Sequence, residues 1–156
     1  MHIIQKYFKN LTENQYHQLS KLPNLYNFWN EKINVISRKD IKDIEIHHIL
    51  HSLSIAKAID FKDKTKILDI GTGGGFPGIP LAILFPKCNF ILIDSVKKKI
   101  KVVNNIIDEI GLQNTIALDL RAENLNQKFD FIVSRAVTNM SKFKCYTKGK
   151  INKKQN

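Results

Sequence analysis

The sequence predicts an α/β fold, a doubly wound parallel sheet preceded by helices. Three observations predict it. Strand-length segments rich in apolar residues (67–70, 89–94, 115–118 and 129–134) alternate with helix-like segments. The run Asn89–Asp94 is almost continuously apolar inside its ends, as a strand buried on both faces must be. Residues 67–80 read Ile-Leu-Asp-Ile-Gly-Thr-Gly-Gly-Gly-Phe-Pro-Gly-Ile-Pro. A strand that feeds a glycine-rich turn and then a helix is how α/β sheets hold adenosine-type cofactors at their strand ends.

The first third reads as helical. Thr12-Glu-Asn-Gln15 fits a capping box, and Tyr16, Leu19, Leu22, Tyr26, Trp29 and Ile33 recur at helical spacing. Pro23 inside this run predicts two helices or a kink. A second amphipathic run carries Ile46, Ile49, Leu50, Leu53 and Ile55 and ends near 59–61. Strand and helix then alternate. A strand over Lys66–Ile70 leads to a helix over Pro77–Phe85, with Pro77 suited to the first turn. The strand Asn89–Asp94 leads to a helix over Ser95–Ile110, with Ser95 as N-cap and Gly111 as the stop. Strands at Thr115–Leu118 and Phe129–Ser134 complete a βαβαβ pattern with right-handed crossovers. Four strands leave a sheet edge exposed, and the chain after Ala136 turns lysine-rich. The expectation is therefore a C-terminally truncated chain with an incomplete sheet. Its regions are an N-terminal helical part (1–62), a partial α/β core (63–140) and a lysine-rich end (141–156).

At 156 residues, 43% hydrophobic and 25% charged, the chain has the composition of one soluble globular domain. No apolar run approaches the roughly 18 residues of a membrane span, and the N-terminus has no signal-peptide pattern. Two cysteines, Cys88 and Cys145, outside any C-x-x-C motif argue for a reducing cytoplasm and against a disulfide framework or structural zinc. The net charge is +11, and six of the lysines lie within residues 141–156, which contain no acid. A polyanionic partner and a solvated tail explain this equally well.

Gly73–Gly78 formally matches G-x-G-x-x-G, a weak match in so glycine-rich a segment. Three details turn it away from a dinucleotide. Asp69 beside the turn would repel a pyrophosphate but suits the positive charges of S-adenosylmethionine. Pro77 removes an N–H where a helix would bind phosphate. The frame Asp69-x-Gly71-x-Gly73 lets the backbone approach the methionine end closely. Buried capping of the loop is a second reading of Asp69, compatible with the first. Asp94, closing the second strand, is placed to accept ribose hydroxyls, which suits S-adenosylmethionine and NAD alike. Its alternative role is at the N-terminus of the next helix. Arg121-Ala122-Glu123 follows the third strand, near the adenine end of such a cofactor, although Arg121 and Glu123 could equally form a surface pair. Arg135, in Ser134-Arg135-Ala136, closes a buried strand and calls for a specific partner. Lys97, Lys98, Lys99 and Lys101 oppose the dipole of their helix, which makes a phosphate-facing role more attractive than usual, although a run of lysines on a helix is most often a solvated face. His47 and His51 have i, i+4 spacing, but without the acid of H-E-x-x-H a metal is the weaker reading.

With these residues in order, the chain resembles the bacterial small-subunit rRNA guanine-N7 methyltransferases, the RsmG or GidB family. The matching pieces are Trp29-Asn30 with Asn34, His48-Ile-Leu-His-Ser-Leu53, Leu68 through Pro80, Leu92-Ile-Asp-Ser95, Arg121-Ala-Glu123 and Ser134-Arg-Ala136. The resemblance implies a Rossmann-like S-adenosylmethionine-dependent methyltransferase that modifies N7 of a guanine in 16S rRNA, free or in a small-subunit particle. It implies that Gly71, Phe76, Ala122, Glu123 and Arg135 contact the cofactor, with Arg135 at the catalytic pocket. Gly73 and Asp94 follow from the wider methyltransferase pattern. The family's basic pair falls on Lys98 and Lys99, implied RNA contacts together with Arg121. A monomeric, metal-free, cytoplasmic protein away from membranes is expected. His51 departs from the family's usual Asp. The family also continues beyond residue 156, so a cofactor- or RNA-binding protein without turnover is the first alternative. An NAD(P)-dependent oxidoreductase is the second.

Overall fold

The structure, a computed structural model, describes residues 2–135 and 139–152. Four strands form one parallel sheet: β1 (Lys66–Ile70), β2 (Asn89–Asp94), β3 (Thr115–Asp119) and β4 (Phe131–Val133), in the order β3-β2-β1-β4. The chain leaves β1 toward β2 on one side and later returns to place β4 on the other. The carboxyl ends of β1 and β4 therefore border a topological switch point, where such sheets bind ligands.

The helices are α1 (His2–Tyr7), α2 (Glu13–Lys32), α3 (His51–Leu53), α4 (Gly78–Leu84), α5 (Lys97–Glu109) and α6 (Met140–Thr147). Against one sheet face, α2, α4 and α5 bury Leu19, Leu22, Tyr26, Ile79, Val102, Val103 and Ile106 together with Ile67, Phe90 and Leu92. On the other face a smaller cluster, Leu68, Ile70, Ile93, Ala122, Leu125 and Phe129, packs with Phe143 and Tyr146 of α6. The N-terminal helices and the sheet thus share one core.

The capping box is present: Gln15 N–H donates to Thr12 Oγ1, and Gln15 Oε1 accepts from Thr12 N–H. Pro23 does not divide the helix, because α2 runs through it as a single element. Interior proline costs roughly 3 kcal/mol. Burial of Leu19, Leu22 and Tyr26 on either side of it, each at 0% exposure, outweighs that at about 1.5–3 kcal/mol per large apolar side chain. The second amphipathic run is not a regular α-helix. It passes from a 3₁₀ turn (Asp40–Asp43) through a π-helical segment (Glu45–Leu50) into α3 and a further 3₁₀ turn (Ser54–Lys57). Ser95 is not the cap of α5. Val96 holds that position, and Asp94 Oδ1 accepts from its N–H at 2.9 Å. Gly111 does end the helix, at φ +64°. Pro77 precedes the first turn of α4 as its cap residue. β4 is shorter than expected because Phe129 pairs instead with Ile151. Phe129 N–H donates to Lys150 O, and Asn152 N–H donates to Phe129 O, both at 2.8 Å.

Candidate cofactor cleft at the strand ends

A cleft of about 480 Å³ opens at the carboxyl ends of the strands, within the ordinary range of small-molecule sites. Gly71, Thr72, Gly73, Gly74 and Phe76 form one wall, Asp94 and Ser95 a second, and Leu120–Glu123 a third. Arg135, His48, Val35, Lys99 and Tyr146 close the rest.

The glycine turn is held by contacts from every side. Thr72 N–H donates to Ile93 O, tying the turn to β2, and Ser134 Oγ donates to Ile70 O, tying the end of β4 to that of β1. Gly71, Gly73 and Gly75 have φ of +67°, +59° and +98°, where a β-carbon is strained. A β-carbon at Gly73 would meet nothing within 4 Å. The backbone there lies bare against open space and can be approached closely. From beneath, the buried Tyr26 hydroxyl donates to Gly74 O; burial raises its pKa well above the ordinary value, so it keeps the proton it donates.

Asp69 is not in the cleft wall. The strand period of two puts it with Ile67 on the α4 face of β1, fully buried. Its Oδ2 accepts from Thr72 Oγ1 at 2.6 Å and from Gly78 N–H at 2.9 Å. The capping role is thus the one observed. Burial first, and Asp94 to a lesser degree, push its pKa up to about 7, against Thr72, Gly78 and Arg135. Because Asp69 takes the N–H at the start of α4, a pyrophosphate would not find that donor free.

Asp94 faces the cleft, half-buried. Oδ2 accepts from Gly73 N–H and Oδ1 from Val96 N–H, both at 2.9 Å. A carboxylate offers about four lone-pair sites, so each oxygen keeps capacity for a hydroxyl. Ile93, Leu120 and Ala122 give the adjoining wall an apolar surface suited to a flat base. The donor set, the bare glycine backbone and the volume fit S-adenosylmethionine. Arg121 and Glu123 are both exposed cleft residues, and no ion pair joins them.

Arg135 is held by the π-helical segment. Its Nη1 donates to His47 O at 2.9 Å and its Nη2 meets His48 Nδ1. The N–H of His51 goes to Ile46 and His48 carbonyls rather than to His47 O, its partner in a regular α-helix. The guanidinium stands 5.6 Å from the Phe76 ring centroid, and His48 packs on the same ring at 5.0 Å. Burial, then Arg135, lowers the His48 pKa to about 4. At neutral pH the ring is uncharged, and Nδ1 can accept from the arginine.

The cleft therefore brings together Gly71, Gly73, Phe76, Asp94, Arg121, Ala122, Glu123, Arg135 and Lys99. Lys98 lies outside it, in a groove between α2 and α5 that Lys99 also lines. Ala136 lies outside the described residues, as do Lys153 and Lys154. His47 pairs with Asp40 at 3.3 Å, and among the described residues no group of three His, Cys, Asp or Glu side chains could hold a metal. No helix among them is long and apolar enough to cross a membrane. Sequence reasoning did not single out Tyr146, Val35 or the His48–Arg135 contact. Only the histidine cluster carried a signal, and its spacing, weighed for metal as the weaker reading, gave no hint of the arginine contact.

A family model described as rRNA small subunit methyltransferase G (GidB) matches residues 15–156. The ribosomal RNA small subunit methyltransferase G of Flavobacterium johnsoniae is 59% identical over 150 residues, covering 96% of this chain and 72% of that one. Its counterpart in Porphyromonas gingivalis is 55% identical over 139 residues, covering 89% and 63%. Coclaurine N-methyltransferase, solved with N-methylheliamine and SAH, superposes with a TM-score of 0.60 at 14% identity, over 67% of this chain and 33% of that one. That likeness is one of fold. A match over nearly the whole chain, on a parallel sheet with its cleft at the switch point, makes this protein a member of the rRNA small subunit methyltransferase G family.

Proposed function

We propose that this chain transfers a methyl group from S-adenosylmethionine to N7 of a guanine in 16S rRNA, free or in a small-subunit particle. Family membership gives the reaction class. The observation that carries the cofactor is Asp94, bonded to Gly73 N–H across the mouth of the glycine turn with acceptor capacity left on both oxygens. In this reading Asp94 takes the ribose hydroxyls, Ala122 and Glu123 flank the adenine, and Gly71 and Gly73 admit the methionine end. Phe76 and Arg135 border the reacting centre. When bound, the cofactor supplies an electrophilic methyl group on a sulfonium. Guanine N7 has a free lone pair and no proton to lose, so the chain's residues need only align and stabilise charge. Arg135, fixed by His47 O and His48 Nδ1, serves as the orienting group. Lys98, Lys99 and Arg121 contact RNA phosphates. The protein works as a cytoplasmic monomer without metal.

Two measurements test this. Calorimetry should show binding of S-adenosylhomocysteine and not of NAD; the reverse overturns the cofactor reading. Mass spectrometry of 16S rRNA incubated with the protein and labelled cofactor should show new 7-methylguanosine. Cofactor binding without methyl transfer would leave a binding protein and not an enzyme.

A further inference from the structure

We propose that the RNA strand runs along the α2–α5 groove, on the Lys32 side of α5 and not on its Lys97 side. The inference rests on the reading of the chain as an rRNA methyltransferase and names the surface that would hold the substrate. Two grooves flank the start of α5. They are nearly equal in size, about 530 Å³ on the α2 side and about 490 Å³ on the other, so volume does not choose between them. Charge does. The α2-side groove is lined by Lys32, Lys98, Lys99 and Lys101 over an apolar floor of Ile33 and Val96, and no carboxylate lines it. The opposite groove shares Lys98 and Lys101, adds Lys97, and is lined by Asp108 and Asp119 as well. A phosphate chain is attracted by the first groove and meets two carboxylates in the second.

Position agrees with charge. Lys99 lines both the α2-side groove and the cofactor cleft. RNA lying along this groove would therefore pass the mouth of the cofactor cleft at Lys99. Lys32 stands at the far edge with Nζ 3.8 Å from the Phe28 ring centroid and 5.3 Å from that of Trp29. The two rings keep the ammonium beside the groove. Val96 is 43% exposed on the floor, an apolar face against which a base can lie. The lysines of α5 also crowd a helix N-terminus without an acid in the first turn. That arrangement opposes the helix dipole, and a phosphate in the groove would relieve it.

The test compares single substitutions of equal charge change, Lys32→Ala and Lys97→Ala, both at exposed positions. Binding of in vitro transcribed 16S rRNA is measured over a series of salt concentrations, with S-adenosylhomocysteine affinity as the control. Lys32→Ala should weaken RNA binding and make the slope of log K against log salt shallower by about one. Lys97→Ala should leave the slope unchanged, and Lys32→Arg should restore it. Neither Lys→Ala variant should alter S-adenosylhomocysteine binding. Equal effects of Lys32→Ala and Lys97→Ala, or a larger effect of Lys97→Ala, would overturn the choice of groove while leaving the proposed function intact. A wild-type chain without salt-dependent RNA binding would overturn the functional reading, and the groove with it.

Discussion

Asp69→Asn should make the protein relatively more stable as pH rises. The carboxyl is fully buried and its pKa is pushed from 3.8 up to about 7, chiefly by burial. Folding therefore favours the protonated form. That contribution is complete below the unfolded pKa and is lost as pH climbs through about 7. At about 1.4 kcal/mol per pH unit, wild type should lose roughly 3 kcal/mol between about pH 5 and pH 7 from this group, and little more above. The asparagine does not titrate. Its Oδ1 can keep both bonds that Asp69 Oδ2 accepts, from Thr72 Oγ1 and Gly78 N–H. Its amide nitrogen replaces Oδ1, which has no partner in the wild type, so any cost of the swap is the same at every pH. Thermal unfolding of both proteins from about pH 5 to pH 9 reads the difference. The advantage of Asp69→Asn should grow by roughly 3 kcal/mol, or about 6–12 °C for a chain of this length. A difference that stays constant across the range would refute an elevated Asp69 pKa.

Two further substitutions probe the scaffold. In Gly78→Ala the new β-carbon would lie 2.6 Å from Leu92 Cγ and 2.8 Å from Asp69 Oδ2. The expected loss is roughly 1–3 kcal/mol in chemical denaturation, and an unchanged midpoint would show that the contact is not tight. His48→Ala and Arg135→Ala should be coupled, because the imidazole accepts from the guanidinium. A double-mutant cycle in stability should return a coupling of roughly 0.5–3 kcal/mol. Strict additivity would mean that the two side chains do not meet in solution.

The parts of the fold legible from sequence are those set by local composition. β2 spans the residues its apolar run marks, and Gly111 ends α5 because its φ of +64° suits glycine. The capping box at Thr12 is likewise written in four consecutive residues. What local pattern misses is fixed by distant partners. Pro23 stays inside one helix because α2 packs on the sheet core. The Glu45–Leu50 segment adopts the wider π register, and Arg135, 88 residues beyond His47, donates to the carbonyl it presents. Helical periodicity alone cannot anticipate either outcome. Asp69 was only partly legible, because β1 is buried on both faces and its apolar residues do not mark which face meets α4. Alternation puts it on the face of Ile67, which the packing turns toward α4, away from the cleft. Its charge, which suits the cofactor, drew the functional reading, and buried capping of the loop stood beside it as the second.

The two acids at the ends of β1 and β2 show how one turn divides the work between side chains of the same type. Asp69 lies beneath the turn and bonds inward to Thr72 Oγ1 and Gly78 N–H. Asp94 lies at its mouth and bonds to Gly73 N–H while still facing the cleft. The first fixes the loop from the core, and the second fixes its mouth while lining the cleft. Tyr26 adds a third tether at Gly74 O from α2, 48 residues away. A glycine-rich segment has the greatest conformational entropy to lose on ordering, so these three side chains must supply the rigidity that the backbone lacks. α2 therefore helps to hold the turn that walls the candidate cleft. A chain lacking α2 would keep every glycine of the turn and lose the Tyr26 contact that holds Gly74 in place.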